Sequence, residues 1–188
     1  MGEAVLTERI ARISPRLKAR IAGSFYLITI LAGSAALVVH GRLGSAVDLI
    51  AGVSYVVVTL MFYDLFRPVN GSLSLLAAVF SLVGFTCGRL GWQPGGVQIE
   101  MVFFGLYCLS IGYLIFRSTF LPRILGAVMA CAGLAWLTFL SPSLADHVNP
   151  YNLAVGGISE SLLTLWLLVM GVNAARWYEL AGARKARS

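Results

Sequence analysis

One acidic side chain of this sequence lies deep inside an apolar stretch. Glu160 follows the apolar run that begins at Leu153, and its neighbours are Ser159, Ser161 and Thr164. A helix rises about 1.5 Å per residue, which would put Glu160 about 10 Å below a membrane surface. An ionised carboxylate at that depth costs several kcal/mol unless it is paired with a cation or hydrated. Glu160 is therefore our candidate catalytic acid or base. Three states fit it: protonated and hydrogen-bonded, paired with an arginine, or lining a water-filled pocket.

Three further charged residues, Asp48, Arg89 and Glu100, lie near the ends of apolar stretches. Asp48 and Glu100 are within about one turn of a helix start, where the macrodipole favours an anion by about 0.3–1 kcal/mol. Arg89 lies near the end of its stretch, where its long stem can reach the headgroups. We expect it to pair with Asp48, Glu100 or Glu160. A structural ion pair explains these charges more simply than catalysis does, and a ligand-binding site is the alternative.

Two tyrosines share helix faces with these acids. Tyr55 follows Asp48 by seven residues, and Tyr107 follows Glu100 by the same spacing. Seven residues are two helical turns, so each tyrosine lies on the face of its acid. The simpler interpretation is interhelical hydrogen bonding, worth about 0.6 kcal/mol per contact. The functional interpretation adds both tyrosines to a ligand-binding interior with Asp48, Arg89 and Glu100.

No metal or cofactor site is predicted. His40 and His147 have no ligand spacing with nearby acids, and the cysteines show no CxxC pattern. The sequence contains no HExxH, P-loop or GxSxG motif and no pair of histidines at one depth to hold haem. Cys87, Cys108 and Cys131 all lie in apolar runs, where a cysteine behaves as a small hydrophobe.

The composition requires that these residues be positioned inside a membrane. Of the 188 residues 59% are hydrophobic and 12% are charged, and the mean hydropathy is +0.85. Soluble domains are about 45–50% apolar and about one quarter charged, so a soluble enzyme and a disordered chain are both excluded. The sequence predicts an all-α polytopic integral membrane protein, a bundle of six transmembrane helices. The predicted spans are about Ile21–Val39, Ala46–Phe66, Ser72–Leu90, Val97–Phe116, Ile124–Leu140 and Leu153–Ala174.

The segments between these spans carry glycine or proline. They include the predicted turn 41–44, the breaker run 91–96 and the longest loop, 141–152. Within the fifth span, Gly126, Ala127, Ala130 and Gly133 recur at helical spacing. Small residues in this pattern predict close packing against another helix, and no function follows from them.

The basic residues set the expected orientation. Twelve of the fourteen lysines and arginines fall on the side of the two chain ends, and only Arg42 and Arg89 fall on the other. The positive-inside rule then puts both termini in the cytoplasm and the protein in the inner membrane of the cell. We assign residues 1–20 to a basic amphipathic segment on the cytoplasmic surface, 21–174 to the six-helix domain and 175–188 to a basic cytoplasmic tail. The positive charge favours anionic lipid over nucleic acid.

Several sequence blocks together resemble a known family. The most specific is Phe-Leu-Pro-Arg-Ile-Leu-Gly at 120–126, and the others are at 20–26, 67–80, 103–109, 112–118 and 160–171. In these blocks the chain resembles the bacterial membrane family catalogued as domain of unknown function 4386, over about residues 20–173. The resemblance implies the six-span fold and a glutamate at position 160, and it implies no activity. The family pattern has a histidine where Tyr107 stands and a longer polar region between the third and fourth spans.

Three functions compete at this level. The first is a small ligand- or lipid-binding or accessory membrane protein, whose partners are membrane lipids and a hydrophobic small molecule or another membrane protein. The second is an intramembrane enzyme that acts on a lipid or isoprenoid with Glu160 as acid or base. The third is a small-molecule transporter, which is weakened because the spans lack internal proline and show no clear inverted repeat.

Reporter fusions test the predicted topology. A fluorescent protein fused after Ser188 is expected to fluoresce, and alkaline phosphatase fused there is expected to be inactive, because the C-terminus is predicted to be cytoplasmic. Phosphatase inserted in the loop 141–152 is expected to be active. Protease or tag mapping that puts the two chain ends on opposite sides of the bilayer would contradict the six-span arrangement.

Overall fold

The computed structural model describes residues 14–186, and this part of the chain is helical with no strand. Six of its helices are long and apolar enough to cross a membrane. The all-α, six-span prediction is confirmed. The eight α-helices are α1 (Pro15–Ala36), α2 (Gly41–Phe66), α3 (Gly71–Arg89), α4 (Ile99–Arg117), α5 (Arg123–Leu137), α6 (Pro142–Val148), α7 (Tyr151–Val169) and α8 (Ala174–Lys185).

Helix boundaries follow local capping chemistry. The side chain of Ser14 accepts a hydrogen bond from the Leu17 amide, and Pro15 occupies the first helical position, where its missing N–H is no loss. In the same way Asn70 caps α3 and Asn173 caps α8. These caps satisfy amide groups that would otherwise lack partners where the helices begin.

Several boundaries differ from those expected. The first span ends at Ala36 rather than Val39, and the expected loop 141–152 contains the helix α6. Residues 15–20, which we assigned to the surface segment, form the start of α1, and residues 1–13 of that segment lie outside the described residues. The expected turn at 41–44 is the first turn of α2. The sixth span ends at Val169 rather than Ala174, because Gly171 adopts a φ of +67° and redirects the chain into α8.

The six spanning helices form a closed ring. Each packs against its neighbour in sequence, in the order α1, α2, α3, α4, α5 and α7, and α7 packs back against α1. The short helix α6 lies in the connection between α5 and α7. Every span therefore has two neighbours and faces a shared interior.

The distribution of side chains is that of a protein in lipid. Leu31, Leu134 and Val169 are more than half exposed on the outside of the ring, whereas Thr59 and Ser81 are buried inside it. Apolar groups on the outer surface have lipid tails as their solvent, and the hydroxyls of Thr59 and Ser81 hydrogen-bond to each other across two helices.

The two halves of the bundle are packed differently. In the half that contains both described chain ends, Phe62, Phe66, Ile115 and Leu167 form a dense core that is almost fully buried. Phe120, from the connection between α4 and α5, stacks on Phe66 with ring centroids 5.9 Å apart. The other half of the interior is not filled by side chains, and this space holds the candidate site.

Helices α4 and α5 touch through their backbones. A Cβ placed on Gly126 would lie 2.7 Å from the carbonyl oxygen of Gly112 and 2.8 Å from the amide nitrogen of Phe116. Gly105 and Gly133 form a second reciprocal pair, in which each added Cβ would lie within 2.9 Å of the other's carbonyl oxygen. The predicted close packing of the fifth span is confirmed for Gly126, Ala130 and Gly133, whereas Ala127 is exposed on the other side of the helix.

Replacing Gly126 with leucine is expected to destabilise the protein. The new side chain would meet backbone atoms that cannot move independently, and overpacking of this kind typically costs about 1–3 kcal/mol. The measurement is the melting temperature of the purified protein in detergent. Gly157→Leu on α7 is the matched control, because a Cβ there meets no atom within 4 Å. Equal melting temperatures for both variants would contradict the close contact.

Candidate functional site

A cavity of about 710 Å³ occupies the half of the bundle opposite the described chain ends, and all six spans line it. The lining comes from the ends of α1, α3 and α5 and from the beginnings of α2, α4 and α7, which the antiparallel ring brings to one level. The lining residues are Thr29, Ile30, Gly33, Ser34, Leu37, Asp48, Tyr55, Gly84, Phe85, Gly88, Arg89, Glu100, Met101, Phe104, Trp136, Gly157, Glu160 and Ser161.

Glu160 lies at the buried wall of this cavity. Its side chain is held from two neighbouring helices, and only 8% of the residue is exposed. The indole Nε1 of Trp136 on α5 donates a hydrogen bond to Oε1 at 3.0 Å, and the Tyr26 hydroxyl on α1 donates to Oε2 at 3.2 Å. Both carboxyl oxygens therefore have a partner, and both donors are neutral. Of the three states considered for Glu160, the structure shows hydrogen bonding rather than pairing with Arg89.

Asp48 and Arg89 form an ion pair between α2 and α3. The Arg89 guanidinium also donates to the backbone oxygen of Asp48 at 3.2 Å, and its Cζ lies 5.0 Å from the centroid of the Phe85 ring. A Cβ on Gly52 would lie 2.8 Å from the guanidinium, so the glycine gives this group its space. Arg89 thus pairs with Asp48 of α2, which is one of the pairings expected from the sequence.

Glu100 has a different environment. Its carboxylate lies against Gly88 of α3, where a Cβ would overlap the Oε2 atom. It is half-buried and lines the cavity. Within residues 14–186 no lysine, arginine or histidine forms an ion pair with it, because Arg89, the residue after Gly88, turns toward Asp48 instead.

The two tyrosines proposed for the interior lie at different depths. Tyr55 lines the cavity, and its hydroxyl accepts a hydrogen bond of 2.7 Å from Ser81, which is itself 2.7 Å from the hydroxyl of Thr59. Tyr107 is buried about one turn further along α4 than Phe104, and the centroids of the two rings are 5.8 Å apart. It is not among the lining residues of the cavity.

Four aromatic rings form a row along the cavity. The ring centroids of Phe85 and Tyr55 are 5.5 Å apart, those of Tyr55 and Phe104 are 6.2 Å apart, and those of Phe104 and Trp136 are 5.6 Å apart. The cavity thus combines aromatic walls with three carboxyl groups. In the described chain no group of three His, Cys, Asp or Glu side chains is arranged to hold a metal ion.

Five of the site candidates named from the sequence line the cavity, and three neighbouring side chains were not among the candidates. Tyr26, Phe104 and Trp136 were not candidates for the site, because aromatic residues are common in membrane helices. One signal was available for Trp136. Its indole N–H needs an acceptor where the ring is partly buried in a span.

The fold and this cavity define a polytopic helical membrane protein with a polar, aromatic cavity inside its span region. A family model described as "Domain of unknown function (DUF4386)" matches residues 40–92 and 90–171. The chain belongs to this family, which confirms the resemblance seen in the motifs.

The comparisons add one curated relative. An uncharacterized protein of the archaeon Archaeoglobus fulgidus is 26% identical over 127 residues, which cover 62% of this chain and 76% of the relative. No solved structure matches the chain. None of these similarities carries an activity.

Replacing Glu160 with alanine is expected to lower the stability markedly. The substitution leaves the Trp136 indole and the Tyr26 hydroxyl without an acceptor, and an unsatisfied buried donor costs about 1–3 kcal/mol. Tyr26→Phe removes one hydrogen bond and should have a smaller effect. The measurement is the melting temperature in detergent, and Glu100→Gln is the control because Glu100 has no ion pair within the described chain. A Glu160→Ala protein as stable as the wild type would refute the two-donor arrangement.

Proposed function

We propose that this protein binds an amphipathic small molecule or lipid inside the membrane. The observation that carries the proposal is the cavity of about 710 Å³ that all six spans line. Sites for small molecules typically enclose about 300–1,000 Å³ and combine apolar walls with a few polar groups. The accessible surface of the cavity is mainly apolar, and Glu100 and Glu160 are among its polar lining residues.

The contrast between the two halves of the bundle supports this proposal. The interiors of helical bundles are close-packed, whereas this cavity is a cleft that opens to the outside of the bundle and is lined by both apolar and polar groups. The half around Phe62 and Phe66 meets that standard. A cavity lined by residues from every span is readily explained if a ligand occupies it.

Access from the lipid is supported by a second cavity. A space of about 680 Å³ between α2 and α3 is lined by apolar residues such as Leu49, Val53 and Val57. It shares Asp48, Phe85 and Arg89 with the central cavity, so these side chains separate the two spaces. A ligand dissolved in the bilayer would need to pass only this one layer of side chains.

The distribution of basic residues supports a location for the site. With both termini in the cytoplasm, the cavity would lie in the outer half of the inner membrane of the cell. Membrane lipids would then be the partners of the outer helix surfaces and a source of the ligand.

An intramembrane enzyme is the second candidate, and the position of Glu160 favours it. A catalytic carboxyl must reach its substrate, and Glu160 lines the cavity while Trp136 and Tyr26 fix its orientation. In this alternative the bound lipid or isoprenoid is converted, with Glu160 transferring a proton.

Native mass spectrometry of the protein extracted with its own membrane lipids tests the binding function. The wild-type protein is expected to retain one amphipathic molecule through conditions that strip annular lipid. Gly157→Leu should retain much less, because its side chain enters the cavity wall where a Cβ has open space. Gly182→Leu on α8 is the control, since Gly182 also has open space but lies outside the cavity. Equal retention by the two variants would contradict the proposal.

The same spectra separate binding from turnover. If the protein is an enzyme, Glu160→Gln should carry a molecule whose mass differs from that in the wild type, because substrate accumulates. If both proteins carry the same molecule, the enzymatic alternative is excluded and binding remains.

A further inference from the structure

We infer that the ligand of the cavity is an amphipathic cation, whose positive group lies between the Glu100 carboxylate and the rings of Phe104 and Trp136. This inference rests on the proposed binding function and specifies the chemical class of the ligand. Its basis is the balance of charge in the lining, together with the arrangement of the aromatic rings.

The charged residues of the lining are mostly acidic. The lining contains three acids, Asp48, Glu100 and Glu160, and one basic residue, Arg89. That arginine is already engaged by the Asp48 carboxylate, the Asp48 backbone oxygen and the Phe85 ring. An anionic ligand would therefore meet surplus carboxyl groups without a free cation, and a cationic ligand would meet an acid without an ion-pair partner.

Glu100 is that acid. Gly88 allows its carboxylate to lie close against α3, so the group is held at the cavity wall. The start of α4 offers it only the partial charge of a helix end. A carboxylate in a setting of low dielectric attracts an opposite charge far more strongly than it would in water.

The aromatic row supplies the second set of contacts. Phe104 follows Glu100 by one helical turn and therefore lies on the same face of α4. Its ring is 5.6 Å from the Trp136 ring and 6.2 Å from the Tyr55 ring, measured between centroids. The negative faces of aromatic rings attract ammonium groups, and recognition of quaternary ammonium by several rings together is well established. An apolar tail would occupy the space beside Ile30, Leu37 and Met101.

Matched probes of one chain length test this inference. The wild-type protein in zwitterionic nanodiscs is titrated with tetradecyltrimethylammonium, tetradecyl sulfate and tetradecanol, and occupancy is read by native mass spectrometry. The cation is expected to bind most tightly. Glu100→Gln should weaken its binding by about tenfold or more, as expected for loss of a charged partner. The same substitution should change the affinity for tetradecanol much less, because the amide keeps a hydrogen-bonding group and removes only the charge.

Two further variants make the result specific. Asp146→Asn removes an exposed acid outside the cavity and should not change binding of the cation. Phe104→Leu should weaken binding of the cation by about fivefold through loss of a cation–π contact, and it should affect tetradecanol less. Melting temperatures close to that of the wild type would show that both cavity variants are folded.

The outcomes distinguish a failure of the predicted preference for cations from a failure of the proposed binding function. If the sulfate or the alcohol binds as tightly as the cation, or if Glu100→Gln binds the cation normally, the inference is overturned. If those probes bind the wild-type protein but not the Gly157→Leu variant, the proposed binding function stands without the preference for charge. If no probe binds and no molecule is retained by the extracted protein, both the inference and the proposed function are wrong.

Discussion

A carboxyl group inside a bilayer has no water to satisfy it, so the protein must supply its hydrogen bonds. Glu160 meets this requirement through Trp136 on α5 and Tyr26 on α1, the two helices that flank α7. These contacts tie three consecutive helices of the ring together at one depth. They also fix the boundary of the interior, because the dense core lies on one side of this level and the open cavity on the other.

The division of the bundle into a dense half and an open half follows from where bulky residues occur along each span. On α2 the large buried side chains Phe62 and Phe66 lie near the end of the helix, whereas Asp48 lies in its first third and Tyr55 near its middle. On α1 and α3 the same half holds small buried residues, among them Ala19 and Ala77, against which the large side chains of the neighbouring helices pack. The up-and-down ring brings the less densely packed ends of all six spans to one level, where they line one common cavity.

Much of the fold could be predicted from the sequence, and less of the site. Long apolar runs separated by glycine and proline identify spans because the bilayer fixes their length. The ends were less certain, since Gly171 redirects the chain within a run that remains apolar. Helical spacing placed Asp48 and Tyr55 on one face, but spacing within a helix does not show which helices are neighbours. The contact between Glu160 and Trp136 depends on that arrangement and so required the structure.

The ring closes through contact between its first and last members. Tyr26 belongs to α1, and the carboxyl group that it meets belongs to α7, 134 residues later. A chain is made from its N-terminus, and its early segments begin to fold before the later ones exist. The cavity therefore lacks one wall until α7 has been made and has packed against α1. A nascent chain that stops before α7 has five of the six described spans, and its Tyr26 hydroxyl lacks the Glu160 carboxyl group as an acceptor.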